Sequence, residues 1–69
     1  MLKVESRGPL LRLVYTKGEK EAEAIGPVSD FPTLLGLFVT QMAREKFEID
    51  DICTALRQVV EKRHLFSPK

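Results

Sequence analysis

The residues of this chain that could do chemistry are few and far apart in the sequence. There is one cysteine, Cys53, and one histidine, His64, and the serines are Ser6, Ser29 and Ser67. A nucleophile needs a base beside it, and a general acid or base needs a neighbour that tunes its pKa. A lone histidine and four scattered glycines supply neither a catalytic set nor a phosphate-binding loop. We therefore expect no catalytic residues, no enzymatic activity, no cofactor and no small-molecule substrate.

Two groups of side chains could be considered as metal ligands. Cys53 and His64 lie eleven residues apart, and a zinc site would need two more ligands beside them. Glu48, Asp50 and Asp51 form an acidic run, but acids at the start of a helix are typical caps and partners of the helix dipole. The expectation is no metal site, with Cys53 buried on an apolar helix face and His64 solvated near a helix end.

Length and composition limit the possible functions further. The 69 residues suffice for one domain, 1–69, whose core should supply only about 3–5 kcal/mol. A single cysteine rules out an internal disulfide, so the remaining supplements are efficient packing or self-association, and this favours a homodimer. Eleven Lys plus Arg against ten Asp plus Glu leave a net charge of +1, without the basic excess usual in proteins that coat phosphate backbones.

The sequence shows no targeting or spanning signal. The opening residues MLKVES lack the apolar core of a signal peptide, and no apolar run reaches the roughly 18 residues that cross a bilayer. An unpaired cysteine also suits a reducing compartment. These features predict a cytoplasmic protein with no membrane contact.

The first half of the chain alternates apolar and polar residues between turn signals. This pattern predicts antiparallel strands at about 2–7, 10–16 and 19–25, with turns at Gly8-Pro9 and Lys17-Gly18. A loop at 17–18 would place Arg12 opposite Glu23, an attractive cross-strand pair. Because EKEAEA consists of good helix formers, the segment 19–25 is open to a helical alternative.

The second half carries helical periodicity. It predicts helices at about 31–46, with Ser29 or Asp30 as cap, and at about 49–64, followed by a short tail 65–69. The apolar residues of the first helix spread over about 200° of arc, about twice what a surface helix needs. Those of the second helix fall within about 120°, which is typical of a helix that buries one side.

These elements predict an α+β fold, a small antiparallel β-meander of two or three strands followed by two α-helices packed on one face. The core face of the sheet should carry Leu2, Val4, Leu11, Leu13, Ala22 and Ala24. The first helix should be central, in contact with the sheet on one side and with the second helix on another.

The expected function is a small non-catalytic protein-interaction or regulatory module that acts as a homodimer and binds a further, unidentified protein. The wide apolar arc of the first helix and the apolar tail predict the contact residues. They are Leu37, Phe38, Val39, Leu65 and Phe66.

The alternative is a nucleic-acid-binding regulator in which the two helices form a helix-turn-helix-like pair. Its phosphate contacts would come from Arg57, Lys62 and Arg63. Asp50 and Asp51 oppose this interpretation, because the N-terminal residues of a recognition helix approach the DNA and carboxylates repel phosphates.

Overall fold

The computed structural model of the protein describes residues 1–62 and has the expected α+β architecture. Three antiparallel strands form one sheet in the order β1-β2-β3, and two helices follow. The elements are β1 (Leu2–Arg7), β2 (Leu10–Lys17), β3 (Lys20–Pro27), α1 (Phe31–Arg44) and α2 (Ile49–Glu61), with a 3₁₀ turn at Val28–Asp30. The segment 19–25, for which the sequence allows either a strand or a helix, therefore belongs to the strand β3 and the turn before it. It lacks the length to form a stable helix, and in the sheet its two alanines face the core.

Both hairpins have two-residue loops that begin with glycine. Gly8 and Gly18 have φ of 56° and 62°, and each occupies the first of the two loop positions. Glycine at positive φ in this position matches the twist of the flanking strands, as in a type II′ turn. The second loop is Gly18-Glu19, one residue later than predicted.

The one-residue shift of that loop changes the predicted pairing of β2 with β3. Leu13 lies opposite Ala24, and Val14 lies opposite Glu23. The register differs by two residues from the predicted one, so every side chain keeps its predicted face while each has a different partner. Arg12 still forms an ion pair with Glu23, along the diagonal, and forms another with Glu5 directly opposite on β1.

One cluster of buried side chains joins the inner face of the sheet to both helices. All six residues predicted for the core face belong to it or pack against it. From the sheet the buried members are Leu2, Leu11, Leu13, Tyr15, Ala22 and Ala24, and from the rest of the chain Leu34, Phe38, Met42, Phe47, Ala55 and Val59. The small alanines of β3 leave room for α1, which packs chiefly on that strand.

The start of α1 differs from the prediction in its cap. Asp30 is the N-cap residue, but its side chain makes no capping hydrogen bond, and Ser29 lies within the 3₁₀ turn. Pro32 in the first turn needs no amide donor, so proline itself favours the helix start. Packing of Leu34 against Gly26 of β3 helps to fix the entry of the helix, since a Cβ at Gly26 would lie 3.3 Å from the Leu34 side chain.

The end of α1 is a Schellman motif, which ends the helix two residues before the predicted boundary. The amide of Phe47 donates to the carbonyl of Met42 at 3.1 Å, and that of Lys46 donates to Ala43 at 3.0 Å. Lys46 adopts a φ of 64°, a conformation that usually favours glycine. Phe47 and Met42 are both buried, so the hydrophobic contact that accompanies this motif anchors the turn in the core.

The second helix also ends earlier than predicted. Its last residue is Glu61, and Lys62 is its C-cap. Four residues to which predictions were attached, Arg63, His64, Leu65 and Phe66, lie outside the described residues.

Candidate interaction surface

One side of α2 holds this helix to the rest of the fold. Ala55 and Val59 are fully buried, and Ile52 packs against the same core. We call these three residues the inner stripe. At the end of the helix, the ammonium group of Lys62 donates a hydrogen bond to the carbonyl of Leu2 at 3.3 Å, which fastens the helix to β1.

A second apolar side of α2 faces outward. Its members are Ile49, Cys53, Leu56 and Val60, which we call the outer stripe. Ile49 is 77% exposed and Val60 is 51% exposed, Cys53 is exposed, and Leu56 is half-buried. The centre of the outer stripe is rotated by about 100° from that of the inner stripe. The helix therefore buries only one edge of its apolar face.

The exposure of Cys53 corrects the prediction that this residue is buried. The apolar arc of α2 was expected to face the core as a whole. The core instead contacts the edge that carries Ala55 and Val59, and Cys53 lies at the opposite edge.

Four contacts of the sheet with residues 46–51 set the orientation of α2. The ammonium group of Lys17 binds the carboxylate of Asp51 at 2.7 Å. Lys20 donates to the carbonyl of Lys46 at 2.8 Å and also lies 5.7 Å from the ring centre of Phe47. The ring of Phe47 in turn meets Tyr15 edge-on, with 5.6 Å between the ring centres. Together these contacts fix the turn that precedes α2.

The ion pair at the start of α2 shifts both partners' pKa values. The hydrogen bond from Lys17, aided by its positive charge, lowers the pKa of Asp51, and the same contact raises the pKa of Lys17. Both directions favour the charged forms that the pair requires.

The outer stripe is bordered by charge on its solvent side. Asp50 and Arg57 are exposed and lie about 80° around the helix from the stripe, on the side away from the inner stripe. The inner stripe borders the outer one on the other side. One flank of this surface is therefore charged, and the other is apolar and continuous with the core.

The residues predicted for partner contact on α1 have three different environments. Leu37 is 51% exposed, Val39 is half-buried, and Phe38 is fully buried. The prediction of Phe38 as a contact residue is wrong, because its ring is buried in the core and is not accessible to a partner. Leu37 has no exposed apolar neighbour on its side of α1. Thr33 and Thr40, one turn before and after it, are exposed and polar, and the adjacent Gly36 has no side chain, so Leu37 forms no continuous apolar surface.

The basic residues of the nucleic-acid alternative do not converge within the described part of the chain. Arg57 is exposed, whereas Lys62 is engaged with Leu2, and the two lie about 140° apart around α2. Asp50 and Asp51 occupy the first turn of this helix, as the sequence indicates.

The outer face of the sheet holds a small pocket with a charged wall. Its volume is about 320 Å³, and it is lined in part by Leu10, Arg12 and Ile25. The guanidinium of Arg12 already binds Glu5 and Glu23, which raises its pKa and lowers that of Glu5. These carboxylates neutralise the cation that an anionic ligand would need.

Among residues 1–62, no three His, Cys, Asp or Glu side chains are placed to hold a metal ion. No helix within that range is long and apolar enough to span a membrane.

Comparison with known proteins identifies no family for this chain. No protein-family model, curated protein or solved structure matches the chain.

The sequence contains a signal for this surface in the spacing of the outer stripe. Spacings of four, three and four residues separate Ile49, Cys53, Leu56 and Val60. This is the spacing of a helix seam that packs against another helix. Periodicity alone does not separate these residues from the core, because a sequence shows which residues share a helix face but not how much of that face the rest of the fold covers.

Proposed function

We propose that the protein is a small non-catalytic interaction or regulatory module that binds another protein chain through the outer stripe of α2. The observation that carries the proposal is the exposure of one continuous apolar edge on a helix whose other apolar edge is buried in the core. Single exposed apolar residues are normal on protein surfaces, whereas an apolar row bordered by charge is typical of a docking face.

The surrounding structure supports a binding role for this surface. Leu56 and Cys53 lie at the centre of the row, with Ile49 and Val60 at its ends, so burial by a partner would begin from a compact apolar centre. Asp50 and Arg57 provide a polar rim on one side. The helix is also held in place by Lys17 and Lys20, so its surface is largely formed before a partner binds.

A photo-crosslinking experiment in living cells tests this proposal. A photoreactive amino acid is introduced at position 53 in the full chain, and a matched control carries it at Ala43, an exposed position on α1. We expect covalent protein adducts from position 53, either with the same chain or with another protein, and few from position 43. Equal yields at both positions, or adducts with nucleic acid at position 53, would contradict the proposal.

A further inference from the structure

We infer that the outer stripe binds the outer stripe of a second copy of this chain, with the two α2 helices antiparallel. This inference rests on the proposed function, because it names the partner of the same surface. It is carried by two features of α2, the self-complementary order of its apolar residues and the position of its flanking charges.

The apolar order matches its own reverse. Two antiparallel copies of α2, aligned through their centres, place Ile49 of one copy against Val60 of the other. They also place Cys53 against Leu56, so that the smaller side chain meets the larger one. The spacings of four, three and four residues keep all four residues on the seam between the helices. Every member of the stripe then meets an apolar residue.

The flanking charges are complementary in the same alignment. Asp50 of one copy and Arg57 of the other lie on the same side of the seam, about 3 Å apart along the helix axes. Arg57 is long enough to bridge that offset. Because a two-fold axis relates the copies, this opposite-charge contact occurs twice. The antiparallel arrangement also sets the two helix dipoles in opposite directions.

A parallel arrangement loses this complementarity. Parallel helices bring the charged flank of one copy beside the opposite flank of the other. Asp50 and Arg57 would then meet the inner stripe, which includes Ile52 and Val59 and already packs in the core of its own copy. The antiparallel arrangement instead joins charged flank to charged flank and apolar flank to apolar flank.

A charge-exchange series on the full chain tests the arrangement. The variants are Asp50→Arg, Arg57→Asp and the double exchange, and the dissociation constant of the dimer is measured by sedimentation equilibrium. Each single variant sets two pairs of like charges against each other and should raise the dissociation constant about tenfold. The double variant restores opposite charges and should bind within about threefold of the original protein. Both residues are exposed, so circular dichroism should show an unchanged fold.

Several results would overturn the inference. A chain that stays monomeric at a concentration of about 1 mM would exclude the dimer, as would dimers that the single variants leave unchanged. A double variant as weak as the single variants would exclude the antiparallel contact. The proposed function is tested separately, because adducts at position 53 with a different protein, together with a monomeric chain, would support that function and refute this partner.

Discussion

The two helices differ in a way that their sequences do not suggest. The apolar residues of α1 cover about 200° of arc, yet Leu37 is its only large apolar side chain that is half exposed or more. The apolar residues of α2 cover only about 120°, yet Ile49 and Val60 lie well exposed. Within residues 1–62, the helix with the narrower apolar face is therefore the one with a continuous apolar row at the surface.

The neighbours of each helix explain this difference. α1 packs mainly on β3, and the small side chains of Ala22 and Ala24 allow a close approach. α2 meets β1 and α1 with a smaller surface, through its inner stripe. The width of an apolar arc sets how much surface a helix can bury. The elements around it determine how much is buried.

The largest expected effect comes from the center of α1. Phe38→Ala removes a fully buried ring and should destabilise the protein by about 3–5 kcal/mol, which equals the whole stability expected of so small a core. The matched control, Leu37→Ala on the same helix, should change the free energy of unfolding by less than about 0.5 kcal/mol. Urea unfolding followed by circular dichroism measures both. A large loss in the control would show that Leu37 is covered in solution.

Adjacent valines on α2 give a sharper comparison, because the chemical change is identical. Val59→Ala removes two buried carbons and should cost about 2 kcal/mol of unfolding free energy. Val60→Ala should leave the monomer's stability nearly unchanged and weaken self-association instead. Urea unfolding at several protein concentrations separates the two effects. Equal losses for both variants at low concentration would place Val60 in the core and remove it from the outer stripe.

The architecture could be predicted because local signals agree with one another. Alternation, two glycine turns and two periodic helices each indicate the same order of elements, and the core face of the sheet follows from alternation alone. The pairing of β2 with β3 was wrong by two residues, because the glycine that marks the turn can occupy either loop position. Alternation cannot detect that error, since a shift of two residues keeps every side chain on its face.

The interaction surface was harder to predict, because it depends on tertiary contacts. Sequence periodicity groups Ile52 and Val59 with Ile49 and Val60 on one apolar face. Only the position of α2 against β1 shows which of them are covered. Phe47 illustrates the same limit, since it lies in the short connection between the two predicted helices and is nevertheless buried, with its ring edge-on to Tyr15.

A substitution at the end of α1 should stabilise the protein without changing the core or the outer stripe. Lys46 holds a φ of 64° at a position where glycine is usual, and its side chain makes no described contact with the core. Lys46→Gly should raise the free energy of unfolding by about 0.5–1 kcal/mol. Lys46→Ala serves as the control, because it removes the same side chain but keeps the strain. Equal stability of the two variants in urea unfolding would show that the backbone there is unstrained.

The smallest effect concerns the ion pair that holds the start of α2. Because Lys17 lowers the pKa of Asp51, the folded state binds the proton less readily than the unfolded chain does. The contribution of the pair is therefore present above the carboxyl group's ordinary pKa, about 4, and is lost as pH falls through the lowered value. In Asp51→Asn, the free energy of unfolding should fall less steeply between about pH 5 and pH 2.

Asp50→Asn is the matched control for this pH effect. It removes a carboxylate from the same turn of α2, but within residues 1–62 Asp50 forms no ion pair. At a concentration that keeps the protein monomeric, this variant should retain the pH dependence of the original protein. If both variants flatten the pH profile equally, the helix dipole accounts for the effect and Lys17 does not. The start of α2 would then depend on Lys20 and Phe47 for its position, and the orientation of the outer stripe would depend on the turn alone.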